Sequence, residues 1–124
     1  MKAGPVAQQP PAVKPPAPAL TGCDAVRQEV SKYSGWDVDI ITAIARAESS
    51  CRVDATGDTS LVYTQNNRQY GYSVSVLQVR IMAGREHCDK HDLATNVRCA
   101  YAIWQGQGYA AWTMYNNNKY LAFL

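Results

Sequence analysis

Apolar residues recur at helical spacing in three stretches of the chain. Val26, Val30 and Tyr33 share one face of a segment starting at Asp24 and closed by Ser34-Gly35, which predicts a first helix over 24–33. Val38, Ile41, Ile44 and Ala45 form the stripe of a second helix, N-capped by Asp37 and running to about Ser50. Leu93, Val97, Ala100, Tyr101 and Trp104 form that of a third, N-capped by Asp92 and stopped by Gly106 and Gly108. Between the second and third helices the pattern changes. Gly57, Asp58, Asn66 and Asn67 mark turns, and Leu61–Thr64 predicts a strand. Tyr70–Val79, rich in β-branched and aromatic residues, is expected to pair with that strand as a small ribbon. A basic and polar loop covers Gly84–Lys90, and a short helix over 110–115 precedes the asparagine turn at 116–118 and a last segment to Leu124. The fold class is mainly α, with a small β element inserted after the second helix.

One polar residue falls on the second stripe. Glu48 stands four residues after Ile44 and seven after Ile41, on the side expected to face the core. Burial disfavours the charged carboxylate there, and so does the negative end of the helix dipole. Both push its pKa upward, towards an acid that keeps its proton near neutral pH, as a general acid for glycoside cleavage must. A solvated surface carboxylate in the last turn is the competing reading, because helices carry many glutamates and few are catalytic.

Composition changes the picture mainly at the N-terminus. All six prolines lie between Pro5 and Pro18, so residues 1–20 read as an extended Pro/Ala-rich linker reaching on the order of 50 Å, and residues 21–124 as one domain. Met1-Lys2 leads into Ala-Gly-Pro and not into an apolar stretch, so no signal peptide is expected as written, and the abrupt tether suggests a piece of something longer. Two of the 12 basic residues, Lys2 and Lys14, sit in the linker, leaving ten against the ten acidic residues. A neutral domain without a basic stripe argues against nucleic acid as partner. No run of about 18 apolar residues is present to span a membrane.

The four cysteines allow three pairings, of which Cys23–Cys51 and Cys88–Cys99 are the expected ones. The first would clamp the chain just before helix one to the end of the Glu48 helix, and the second would tie the third helix to the loop before it. Such bridges are worth roughly 3 kcal/mol each and favour an extracytoplasmic place. The rival is a zinc site in Glu86-His87-Cys88-Asp89-Lys90-His91-Asp92, but its spacing matches no familiar zinc pattern, so no metal is assigned.

Four blocks now stand in a recognisable order: Ala47-Glu48-Ser49-Ser50, Ser73-Val74-Ser75-Val76-Leu77-Gln78-Val79, Asn96-Val97-Arg98-Cys99-Ala100-Tyr101, and Ala111-Trp112 through Tyr115-Asn116. In these the chain from Trp36 to Tyr120 resembles the lysozyme-like transglycosylase domains, the group that includes soluble lytic transglycosylases and goose-type lysozymes. The resemblance is to the short versions found in secreted and phage-associated cell-wall enzymes. It implies a lysozyme-like α+β fold and cleavage of the β-1,4 bond between N-acetylmuramic acid and N-acetylglucosamine. Glu48 would be the general acid and then the base. Ser73, Ser75 and Gln78 would line the cleft, Tyr115 would place its hydroxyl near Glu48, and Asn96 and Asn116 would shape the floor or walls. Burial with one satisfied hydrogen bond would explain Tyr115 and Asn96 equally well.

Ser75 departs from the family pattern, which has glycine there, so its side chain is expected to narrow a sugar subsite. A hydrolase needs a second carboxylate, about 5–5.5 Å from the acid if retaining or about 6.5–9.5 Å if inverting. Asp54 and Asp58 are the candidates, and both are also ordinary turn residues. The resemblance implies a lytic transglycosylase that needs neither, because the 6-hydroxyl of the substrate attacks, and this single-acid route is favoured. Tyr63, Tyr70, Tyr72 and Tyr109 are candidates for stacking on sugar rings, while Trp36, Trp104 and Trp112 read as core or cleft wall. The expected partner is a peptidoglycan strand, met by a monomer without a cofactor. The alternative is a non-catalytic glycan-binding or structural domain, with Ser75 as the sign of a remodelled cleft.

Overall fold

The computed structural model describes residues 19–124, so the linker expected over 1–20 lies outside the described residues except for Ala19 and Leu20. The first helix, α1 (Gly22–Val30), ends before the predicted Tyr33. The Trp36 indole N–H takes the Val30 carbonyl at 2.9 Å, and the Lys32 and Tyr33 amides close tight turns onto Glu29 and Val30. The second, α2 (Val38–Ser49), starts where expected: the Asp37 carboxylate accepts the Ile40 amide at 3.1 Å. It stops because Ser50 and Cys51 adopt left-handed backbone, returning their amides to Arg46 and Ala45.

The chain between α2 and the next helix forms two small sheets and not one ribbon. Strands β1 (Thr56–Gly57), β4 (Ser73–Val74) and β5 (Val79–Arg80) make an antiparallel sheet in the order β1-β4-β5. Strands β2 (Tyr63–Gln65) and β3 (Arg68–Tyr70) make a separate hairpin, and Leu61 closes a 3₁₀ turn instead of starting a strand. The difference from the expected pairing lies in Asn66 and Asn67. Both have positive φ (51° and 62°), the geometry of a two-residue hairpin turn, so Gln65 meets Arg68 at once. Polar residues then fasten the loop at 84–90 to this hairpin: the Tyr70 hydroxyl donates to Glu86 at 2.9 Å, the Tyr72 hydroxyl to Asp89, and Arg68 pairs with Asp89 at 3.1 Å.

The third helix, α3 (Leu93–Gln107), is capped by Asp92, which accepts the Thr95 amide at 2.9 Å. It runs through Gly106 and breaks at Gly108, whose φ of 66° favours glycine. A short helix, α4 (Thr113–Asn116), and a 3₁₀ segment, Lys119–Phe123, complete the chain. The core gathers Val26 and Val30 from α1, Ile41, Ile44 and Ala45 from α2, and Val97 and Ala100 from α3 around the stretch Val74–Leu77, which is fully buried. Cys23–Cys51 and Cys88–Cys99 are both bonded. Mainly helical, with short strands after the second helix, the fold is of the expected α+β class. Among the described residues no helix is long and apolar enough to cross a membrane.

Candidate active site

Four elements converge on the turn that joins β4 to β5. The Ser75 amide donates to Ala55 O at 2.8 Å, and the Ser49 hydroxyl donates from the end of α2 to Val76 O at 2.7 Å. From α3, the Asn96 carboxamide does two things: its Oδ1 accepts the Leu77 amide at 2.8 Å and its Nδ2 donates to Val74 O at 2.9 Å. The Trp112 indole donates to Leu77 O at 2.8 Å. These backbone groups of the turn are thus answered, mostly by side chains, which lets irregular backbone sit in the core.

This clamp presents Gln78. Its Nε2 donates to Ser75 O at 2.8 Å and Ala55 O at 3.3 Å, so the side chain lies flat over β1. A Cβ at Gly57 would meet its Oε1 at 2.1 Å, so any side chain there would push the Gln78 carboxamide out of this position. Register places Gly57 opposite Ser73 and Ser73 opposite Arg80. Ser73 and Arg80 of that row line a cavity of about 250 Å³ together with Gln78, Glu48 and Trp112.

Glu48 is half-buried at the edge of this cavity, and its Oε1 accepts the Met114 amide at 3.2 Å. Its pKa is raised above the ordinary 4.5, first by desolvation, with the Met114 N–H working against the shift and the nearby charge of Asp58 adding to it. The helix end expected to contribute is largely answered: the last carbonyls of α2 accept amides from residues 50–52. Asp58 lines the same cavity and is held by the Ser73 hydroxyl at 2.5 Å.

The remaining candidate residues divide clearly. Asp54 is exposed and outside the cavity, which leaves Asp58 as the carboxylate beside Glu48. Ser75 has positive φ (64°), consistent with a glycine position, but its side chain is fully buried and its hydroxyl has no partner. It does not narrow the cleft. Asn96 is also fully buried and acts on the turn, not on the cavity. Asn116 donates to Ala110 O at 2.9 Å and holds the last turns together. The Tyr115 hydroxyl makes no hydrogen bond to Glu48; the ring is stacked between Tyr109 and Tyr120, at 5.3 and 4.9 Å, and the amide of the preceding residue reaches the acid instead.

The aromatic expectations change in the same way. Tyr70 is buried, Tyr72 spends its hydroxyl on Asp89, and the Tyr109 hydroxyl accepts the Asp37 amide at 2.7 Å. Only Tyr63 of the four is exposed, and it stacks on Tyr70 at 5.8 Å. Four contributors were not singled out from the residues: Arg80, Leu61, Thr113 and the Met114 amide. Arg80 follows Gln78 by two residues, a signal available once β5 is known, whereas the Met114 contact spans 66 positions and has no local signature. His87 lies beside Cys88 and Cys99, but both sulfurs are consumed by the bridge and offer no metal ligand. A larger cavity of about 330 Å³ lies between α1, α2 and the C-terminal segment; there Arg27 pairs with Asp39, and Arg46 covers the Phe123 ring at 4.9 Å.

A family model described as a lysozyme-like domain matches residues 29–114, a span that includes the acid, the turn clamp and the Met114 contact. The chain belongs to the lysozyme-like domain family. Neither the curated proteins nor the solved structures yield a match. Membership in the lysozyme-like family points to glycosidase chemistry on a peptidoglycan-type glycan. Two disulfides in a lysozyme-like domain point further to an extracytoplasmic place.

Proposed function

We propose that this lysozyme-like domain cleaves the β-1,4 bond between N-acetylmuramic acid and N-acetylglucosamine in peptidoglycan, with Glu48 as general acid and then general base. The observation that carries the reading is Glu48 itself, a half-buried carboxyl with raised pKa on the wall of a polar cavity. Glu48 protonates the glycosidic oxygen as the bond to the leaving sugar breaks. It then takes the proton of the muramoyl 6-hydroxyl, whose oxygen closes a 1,6-anhydro ring. One acid suffices for this transglycosylase route. Asp58 supports it from the side, favouring the proton on Glu48 and stabilising the positive charge that builds on the sugar ring. The domain acts as a monomer, secreted or associated with the cell envelope or with phage, and needs no cofactor.

A second reading, hydrolysis, is favoured by one observation: Asp58 shares the cavity with Glu48. In that case Asp58 acts as nucleophile or positions water. The reading as a non-catalytic glycan binder rested on Ser75 in the cleft, and that side chain is buried away from it.

The test is digestion of purified peptidoglycan by the wild type and by Glu48→Gln, with products read by mass spectrometry. Anhydro-muramic ends that vanish with the substitution establish the transglycosylase. Reducing muramic ends establish hydrolysis. No release from several wall types, with binding intact, returns the domain to a glycan binder.

A further inference from the structure

The Glu48 cavity does not end at Gln78. It shares Gln78 and Arg80 with a smaller cavity of about 70 Å³. That one in turn shares Arg85 and Gln107 with a third, of about 270 Å³, over the Cys88–Cys99 bridge. The three cavities thus adjoin one another as a trough divided by these shared side chains. Charge changes along it: Glu48 and Asp58 line the first cavity only, Arg80 lines the first and second, and Arg85 the second and third.

Both arginines are half-buried, and neither is neutralised. Arg80 uses Nε on Gly71 O at 3.0 Å, and Arg85 uses one Nη on Arg80 O at 3.2 Å, with Met82 Sδ near it at 3.8 Å. Among the described residues three ion pairs form, and none includes either arginine. The remaining guanidinium donors are thus held in place by backbone contacts: Arg85 faces two cavities whose lining holds no carboxylate, and Arg80 also lines the cavity of Glu48 and Asp58 without pairing with either. Elsewhere in the molecule a half-buried arginine finds an acid, as Arg68 finds Asp89. A planar, weakly hydrated cation with free donors is suited to binding a carboxylate from outside.

We propose that Arg80 and Arg85 form a carboxylate-reading subsite that continues the catalytic cleft and selects glycan strands carrying acidic substituents. The inference rests on the peptidoglycan reading above. In that polymer the carboxylates come from two sources, the peptide attached to the lactyl group or the lactyl group itself once the peptide is removed. Gln107, on the same trough, can meet a neighbouring amide or hydroxyl.

The experiment compares three substrates: native peptidoglycan, the same material with its carboxyls converted to neutral amides, and peptide-stripped strands with free lactyl carboxylates. For the wild type, kcat/KM is expected to be about tenfold higher on the native than on the amidated wall, the scale of one charge-assisted contact at a partly exposed site. Arg85→Gln and the Arg80→Gln/Arg85→Gln pair should bring that ratio close to one, and Arg85→Lys should keep most of it. Because the readout is a ratio between substrates, a general loss of activity or folding does not imitate it. Stripped strands cleaved as well as the native wall assign the lactyl carboxylate, and stripped strands cleaved no better than the amidated wall assign the peptide.

A wild-type ratio near one, or a ratio unmoved by Arg85→Gln, overturns the inference. Co-sedimentation of Glu48→Gln protein with native and amidated walls gives the same ratio without turnover. If the wild type releases nothing yet Arg85-dependent sedimentation persists, the subsite stands and the catalytic reading fails. If Glu48-dependent release occurs with no Arg85 effect in either assay, the reverse holds.

Discussion

Glu48 is held between opposing influences: burial and the charge of Asp58 favour its proton, and the Met114 amide favours its loss. Removing Asp58's charge by Asp58→Asn should therefore lower the pKa of Glu48. On the proposed mechanism, in which Glu48 acts protonated, the alkaline limb of the pH–rate profile should then move to lower pH; an unmoved limb would refute this coupling. Stability follows the same linkage. A folded-state pKa raised above 4.5 means that ionised Glu48 costs stability which is absent below that value and grows as pH rises through the folded pKa. Glu48→Gln should then melt above the wild type near neutral pH, with the difference closing as pH falls towards 4.5, as scanning calorimetry can check. Glu48 was legible because helical spacing put a carboxyl on an apolar stripe. The burial of Ser75 was not, because a single positive φ within an irregular turn decides which way that side chain points.

At the scale of elements, helices α2 and α3 were legible from their stripes and from Asp37 and Asp92, whose caps depend on neighbours three residues away. The strands were less so. With two or three residues each, they are too short for alternation to show, and their pairing is set by Asn66-Asn67 and by the clamp on Val74–Leu77. That clamp gives Asn96 and Trp112 a positioning role, and it makes Gly57 and Gln78 one unit. Gly57→Ala should displace Gln78 and reduce kcat/KM about as far as Gln78→Ala does. The double substitution should add little to either, since two changes that remove the same arrangement are not additive. Independent, multiplicative losses would show that Gln78 does not depend on the space above Gly57.

At the scale of the whole molecule, the two bridges tie down opposite ends of the site: Cys23–Cys51 lies just after Glu48's helix, and Cys88–Cys99 underlies the far cavity. Loops of 28 and 11 residues correspond to roughly 3.5 and 3 kcal/mol of constraint on the unfolded chain. Their sum is comparable to the entire stability of a small domain, so reduction should lower Tm by more than about 10 °C or abolish cooperative melting. A midpoint unchanged by reductant would show that the core suffices. A different feature reaches across the molecule without contributing a covalent link. Seven of the eleven tyrosine and tryptophan rings, from Tyr33 and Trp36 through Tyr101, Trp104, Tyr109 and Tyr115 to Tyr120, follow one another at 4.7–6.1 Å. At such separations excitation passes from ring to ring faster than tyrosine can emit. Light absorbed at either end of the ladder therefore leaves from an indole, and the folded chain carries its own optical signature, in which Tyr120 at the C-terminal segment reports to Trp104 and Trp36 in the interior.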